Sequence, residues 1–488
     1  MCADNFIGDA VLRRGSSGAR GHDELTMNRR LAISAAALLL TALLASAATA
    51  AARADARDYV PGQVLVRFEG QRVGRAVELP PRVGVRQAVT ALDASPRVAY
   101  AVPNYIATAS VTPPIELAED LPNDPGTLAP APSVPGAWAT KQWNFLPWEE
   151  APGTLTSPGG IDATGAWRNL VAAGRPGAKG VTIAVLDTGI AYRAKDGRFR
   201  RSPDFSSGQF VKGYDFVANN AVPLDENGHG THVAGTIAEK TNNGIGLAGL
   251  AYRTKLMPVR VLDRHGLGRA SNIAKGIRFA TDHGAQVINM SFNFGCGKEV
   301  PDVEAALSQA FAKGVVAVAS AGNLGSETCV SPPATIPHVI GVGGTTEGAC
   351  LGNYSLSGEG IDVVAPGGGT PVAGCPSVAA SPIYQVTLKA GSTKEFGIPS
   401  DYVGTSMAAA HVSAEAAMIL ASGLIPPKAS PKGAVREVTR RIEITARSLG
   451  LPATSQGAGL IDAAQATNPA FVPAGPAASA QPPSKTSK

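Results

Sequence analysis

The stretch "VTIAVLDTGI", residues 181–190, runs apolar and β-branched almost without a break to Asp187, then turns on Thr188-Gly189. An apolar run without alternation reads as a strand buried on both faces. Similar runs follow at "KLMPVRVLD" (255–263), "AQVINMSF" (285–292), "GVVAVASAGN" (314–323) and "HVIGVGG" (338–344). Between them "SNIAKGIRFATDHG" (271–284) and "VEAALSQAFAKG" (303–314) have helical spacing. The alternation predicts an α/β fold, a mostly parallel sheet with helices on both faces. Functional groups in such sheets collect at the carboxyl ends of the strands.

The rest of the chain bounds what such a domain can be. The 488 residues are 44% hydrophobic, and the net charge of +5 is spread rather than gathered. Aromatics are 5% and no basic run is interleaved with them, which excludes an ordinary nucleic-acid binder. "MNRRLAISAAALLLTALLASAATAAA" has the charged, apolar and small-residue order of a secretory signal. We read 27–50 as the signal peptide; residues 1–26 are either a long leader or lie upstream of a true start at Met27, the reading we favour. The expected protein is secreted, with no membrane anchor. Cys296, Cys329, Cys350 and Cys375 form no Cys-x-x-Cys pair, and an even number suits disulfides in an oxidising compartment. "DYVPGQVLVRF" (58–68) and "PRVAYAVPNYIATASV" (96–111) predict a small α+β unit, and 112–141, rich in Pro, Ala and Gly, predicts a linker. A small unit and linker ahead of a main domain are the layout of a secreted zymogen. The last residues, 468–488, read as a disordered tail.

Four places carry chemistry-bearing residues. Asp187, at the end of a buried strand, needs donors or a positive partner, whether it caps the next turn or serves a site. In "GTSMAAAHVSAEAAMIL" (404–420), Ser406 opens an alanine-rich helix, either as an N-cap or where free N–H groups favour developing negative charge. It is not the Gly-x-Ser-x-Gly elbow of lipases, because Ala408 replaces the second glycine. In "NGHGTHVAGT" (227–236), Gly230 follows His229 and the next histidine, His232, is three along, which departs from zinc protease spacing. Asn227 can cap a helix there, and His229 can act as a base near neutral pH. "VVAVASAGNLG" (315–325) ends a strand on Gly322-Asn323, whose amide can donate into a cleft.

Taken in order, "AVLDTGI", "NGHGTHVAGT", "VINMSF", "ASAGN" and "GTSMAAAHVS" closely resemble the subtilisin-like serine proteases over roughly 142–467. The order Asp, His, Asn, Ser differs from that of lipases and of chymotrypsin. The resemblance implies a serine endopeptidase with Ser406 as nucleophile, His229 as general base and acid, and Asp187 orienting His229. It makes Asn323 an oxyanion donor together with the Ser406 N–H, and His232 a buried structural residue. The alternative is a catalytically inactive binding protein on the same fold, although the triad and the oxyanion Asn are all present.

The resemblance carries further expectations. Gly266, Leu267 and Gly268, with Ser291, Phe292 and Asn293, would line the substrate cleft. Phe292, Leu267 and Leu324 imply a preference for apolar or aromatic residues before the scissile bond. Ala410, where the family usually has proline, alters the helix and not the nucleophile. Asp204 and Asn243 would bind structural calcium, no catalytic cofactor being needed. Cys296–Cys329 and Cys350–Cys375 are the expected pairs of the three pairings possible. Residues 51–137 would be propeptide and processing linker, acting as an intramolecular inhibitor, and 138–467 the peptidase domain. The expected partners are polypeptide substrates, and the expected mature form is a monomer.

Overall fold

The computed structural model describes residues 59–71, 74–105, 122–128, 136–149, 155–325 and 329–471. The expected leader, the signal, residues 106–121 and 472–488 of the tail lie outside the described residues. The chain divides into two compact units, 1–111 and 112–488.

In the first unit β1 (Tyr59–Phe68) is the middle of an antiparallel sheet, flanked by β2 (Arg75–Glu78) and β3 (Val98–Tyr105), with α1 (Val85–Asp93) packed on it. Val64 and Val66, two apart on β1, face the helix, whose Val85, Ala88 and Leu92 recur at one-face spacing. This is the small α+β unit that the two apolar runs predict.

The second unit carries the site. After α2 (Ala163–Ala172) come β4 (Thr182–Asp187), β5 (Tyr214–Asp215), α3 (His229–Ala238), β6 (Lys255–Arg260), α4 (Ala270–Asp282) and β7 (Val287–Met290). Then follow α5 (Pro301–Ala312), β8 (Val316–Ser320), β9 (Val339–Thr345), β10 (Val363–Pro366), a small hairpin of β11 (Thr387–Leu388) and β12 (Phe396–Gly397), α6 (Thr405–Ser422) and α7 (Pro431–Thr445). The main sheet has seven strands in the order β10-β9-β8-β7-β4-β6-β5. Every neighbouring pair in it is parallel. Helices α4 and α5 pack on each other and on strands of the sheet, while α3 packs on α6, and α6 lies along β7 to β10. Continuous apolar runs therefore became strands with both faces covered. Helix α6 is buried on nearly every side, which its many alanines allow by keeping its radius small.

One boundary differs from the sequence reading. Residues 112–141 read as linker, yet 122–128 and 136–141 are built into the second unit, so the expected division at 137/138 falls inside it. Gly126 donates its N–H to the Gly246 carbonyl at 2.8 Å, and Gly246 returns a bond to Thr127 at 3.0 Å. Trp138 is buried against Phe145 and Trp167. Proline and alanine content hid a segment held by backbone bonds to Gly246, by the side chains of Asn123 and Asp124, and by one buried indole.

The two disulfides are Cys296–Cys329 and Cys350–Cys375, as expected, closing 33 and 25 residues of chain. The first joins the segments leaving β7 and β8. Loops of this size predict that Cys296→Ala with Cys329→Ala lowers stability by roughly 3 kcal/mol. The midpoint of urea unfolding should fall and the slope rise as the unfolded chain loses a cross-link; an unchanged midpoint would show that the bond adds nothing.

Candidate active site

Strands β4, β7 and β8 end side by side, with chain order reversing between β4 and β7, so their carboxyl ends open a crevice. Asp187 leaves β4 with no exposure. Its Oδ1 accepts from the Thr188 N–H at 2.7 Å and lies 2.8 Å from His229 Nδ1. His229 starts α3, and about a quarter of its side chain is exposed (26%). The approach of α3 to β4 requires Gly230, because a Cβ there would lie 2.2 Å from the Gly189 carbonyl oxygen.

Asp225 fixes the turn into α3, a role the sequence reading missed. Its Oδ1 accepts from the N–H groups of Asn227 and Gly228 and from Thr188 Oγ1. Its Oδ2 accepts from Thr231 N at 3.0 Å and Thr231 Oγ1 at 2.6 Å. An acid four residues before His229 was the available signal, and it is indistinguishable from an ordinary turn-forming Asp.

Ser406 lies in the first turn of α6, where helix geometry leaves N–H groups without intrahelical acceptors. Its hydroxyl donates to the Ser291 carbonyl at 3.1 Å, and Ser291 Oγ donates to the Ser406 carbonyl at 2.8 Å. The hydroxyl is thus held toward the end of β7, a contact that turning toward the imidazole would break. Asn323 has its Oδ1 occupied by the N–H of Thr405 (2.9 Å) and by Thr405 Oγ1 (2.8 Å), which leaves its Nδ2 as the free donor. Gly404, at φ +148°, lets the chain pass, since a Cβ there would stand 3.0 Å from that nitrogen.

The remaining expected cleft residues divide. Ser291 is buried and Phe292 half-buried beside Phe294, with their segment tied to β8 and its exit by Ser320 Oγ to the Phe292 carbonyl and by Phe294 N to the Pro332 carbonyl. Asn293 and Gly266 are exposed, as are Leu267 (69%) and Leu324 (63%). Gly268 is exposed as well and pairs with Leu262 in an isolated bridge.

Three histidines divide between two electrostatic settings. Burial works against charge on His229, but the charge and hydrogen bond of Asp187, with the charge of Asp225, outweigh it and raise the pKa. Burial lowers His232 to about 3, so it stays neutral, bonded at Nε2 to the Ile383 carbonyl and stacked on Tyr402 at 4.0 Å. His411 is likewise lowered by burial, to about 4, and contacts Asn144 and the Met407 carbonyl.

Asp204 and Asn243 are also together, Asn243 Nδ2 donating to Asp204 Oδ1 at 2.7 Å. Beside them lies Asp124, which the sequence reading left inside the linker; it accepts from the N–H groups of Asn242 and Asn243. Burial raises Asp124 to about 6 and Asp204 well above the carboxylate range. Among the described residues no three His, Cys, Asp or Glu side chains form a metal cluster. Two buried carboxylates beside amide and carbonyl oxygens are nonetheless a donor set that suits a hard cation.

A parallel sheet with an acid bonded to a histidine at one strand end, and a serine at a helix start bonded to the end of the neighbouring strand, is the frame of a serine hydrolase. Residues 178–459 match the Subtilase family, and the chain belongs to that family. It is a subtilisin-like serine protease. It is 34% identical over 388 residues to the thermophilic serine proteinase of Bacillus sp. (strain AK1), covering 75% of this chain and 79% of that protein. It is 36% identical over 244 residues to thermitase of Thermoactinomyces vulgaris, covering 50% of this chain and 76% of thermitase. A solved structure described as proteases from Pseudoalteromonas arctica PAMC 21717 aligns with a TM-score of 0.55 at 30% identity, covering 71% of this chain and 98% of that one. Among the described residues no helix is long and apolar enough to cross a membrane.

The two histidine settings predict distinct titrations. In an NMR pH series the His229 Cε1–H signal should titrate above the ordinary value near 6.5, and Asp187→Asn should move it down. His232 and His411 should stay neutral from about pH 5 upward. A His229 midpoint unaffected by Asp187→Asn would show that the carboxylate does not govern the imidazole.

Proposed function

We propose that the chain is a secreted, self-processing serine endopeptidase that cleaves polypeptides through an acyl-enzyme on Ser406. The observation that carries this reading is Asp187 Oδ1 at 2.8 Å from His229 Nδ1, which holds the ring by that nitrogen and reserves Nε2 for the proton of Ser406. As the scissile carbonyl arrives, Ser406 Oγ leaves the Ser291 carbonyl, attacks the carbonyl carbon, and passes its proton to His229 Nε2. Asn323 Nδ2 and the Ser406 N–H receive the charge that develops on the carbonyl oxygen. His229, now an imidazolium stabilised by Asp187, gives the proton to the departing amine. Water then repeats the sequence on the ester and frees Ser406. His229 must be neutral to begin, so turnover falls as pH drops through its raised pKa.

The first unit, within 51–137, acts as propeptide and intramolecular inhibitor, and the mature enzyme works as a monomer outside the cell. Pro122–Asp124 and Gly126–Thr127 are bonded within the second unit, so processing falls before Pro122. Phe292 and the exposed Leu267 and Leu324 favour an apolar or aromatic residue before the scissile bond. Asp204, Asn243 and Asp124 would hold a calcium ion, which supplies positive charge to buried carboxylates and takes no part in the chemistry.

Removing the proposed nucleophile has two expected outcomes. Ser406→Ala should lower cleavage of casein by more than about 10⁴-fold and leave a secreted precursor that still carries the first unit. Expression in a host without secreted proteases, with product sizes by mass spectrometry, checks both; equal activity and maturation in the two forms would exclude Ser406 as nucleophile. A peptide library cut mainly after Arg or Lys would contradict the apolar cleft. Excess chelator should lower the melting temperature of the mature enzyme by several degrees, and an unchanged temperature would remove calcium from the account.

A further inference from the structure

Outside the crevice, cationic side chains gather around an open groove of about 830 Å³. Arg193, Arg200, Arg201, Lys389 and Lys394 line it against one carboxylate, Glu395. That carboxylate is engaged by Lys389 at 3.4 Å. Nearby, Lys195 pairs with Asp196 at 3.9 Å. Among the described residues no carboxylate forms an ion pair with Arg193, Arg200, Arg201 or Lys394. All four are exposed. Four uncompensated cations around one concavity repel each other, and a bound polyanion relieves that repulsion.

The groove is built rather than incidental. One wall is the segment 192–203 and the other is the turn between β11 and β12. The Arg200 N–H donates to the Thr393 carbonyl at 3.1 Å, and Thr393 Oγ1 donates to the Arg198 carbonyl, so the two walls are stitched together. The Tyr192 and Phe210 rings, 5.4 Å apart, and Phe396 add flat apolar surface of the kind peptide side chains pack on.

The groove also continues toward the candidate active site. Lys389 lines both it and a smaller cavity of about 320 Å³ bordered by Asn227, Leu388 and Tyr402. Asn227 Oδ1 accepts the His229 N–H at 3.1 Å, and Thr387 Oγ1 donates to the Gly228 carbonyl. The hairpin therefore runs from the residue before His229 out to the basic turn.

We propose that this groove binds an acidic tract of the polypeptide substrate, a few residues away from the bond that is cut. The inference rests on the protease reading and extends it to substrate choice. The hairpin that carries Lys389 and Lys394 is anchored on the Gly228 carbonyl by Thr387, so the tract belongs to the same polypeptide as the bond that is cut and lies outside the crevice. The recognition is electrostatic, so it acts mainly on encounter and weakens with salt.

The test uses two peptides identical around the bond, one with a run of four Glu and the other with four Gln in the flanking position, on either side in turn. The wild type should show a kcat/KM about tenfold higher for the Glu peptide at low ionic strength, falling toward parity at about 0.5 M salt. The triple variant Arg200→Gln, Arg201→Gln, Lys394→Gln should lose the preference while cutting the Gln peptide at the wild-type rate. A fluorescent Glu-run peptide without a cleavable bond should bind the wild type, by anisotropy, and bind the variant at least tenfold more weakly. This second arm needs no turnover, so it judges the groove even if no peptide is cut and the protease reading itself fails. Equal kcat/KM for the two peptides, a preference that survives the triple variant, or tighter binding of a DNA duplex than of the Glu run would overturn the proposal.

Discussion

A carboxylate at the end of a strand with no exposure must be answered from within the protein, and Asp187 is answered by only two neighbours. Thr188 supplies a backbone N–H and His229 an imidazole, with no Lys or Arg ion-paired to it among the described residues. Leaving a buried charge with so few donors costs several kcal/mol unless the positive partner is held close. The position of His229 is therefore a condition of the strand carrying an acid at all. That condition explains the local sequence. Gly230 allows α3 to reach the Gly189 carbonyl, Thr188 ties both Gly230 N and Asp225, and Asp225 organises the turn before α3.

His229 and His232, one helical turn apart, show how surroundings divide identical side chains. One ring stands between two carboxylate charges and its pKa rises; the other is enclosed by Tyr402 and a carbonyl and its pKa falls to about 3. A like charge at both positions would be repulsive across so short a distance. Keeping His232 neutral thus favours the protonated state of His229, which the proposed mechanism visits after Ser406 gives up its proton.

Much of this was legible in the sequence because the elements concerned obey local rules. The run ending in Asp187 is apolar on both faces and became a central strand; the alanines after Ser406 became a helix buried all round. The disulfide pairs expected with the family resemblance are the ones that form. Asp225, Thr405 and Asp124 were not legible. Each acts through hydrogen bonds to backbone or to a partner distant in sequence, and an Asp or Thr in a loop carries no mark of that. Asp124 shows the limit most clearly. In sequence it sits among prolines in an apparent linker, whereas in space it meets Asn242 and Asn243, more than a hundred residues on.

Helix α3 joins that acidic corner to the crevice. His229 stands at its N-terminus, and at its other end Glu239 caps the helix with no exposure, where burial first and then the charges of Asp204 and Asp124 raise its pKa. The negative end of the helix dipole already disfavours anions there. Burial pushes Glu239 and Asp204 well above the ordinary carboxylate range, so the corner disfavours negative charge. A divalent cation answers the same three unfavourable terms together: burial, mutual repulsion and the dipole. The proposed calcium would then anchor the end of the helix opposite His229, some 15 Å away by the rise of ten residues. At that distance its influence on the imidazole is through the fixed position of α3 rather than through direct charge, which is why it belongs to stability and not to the reaction.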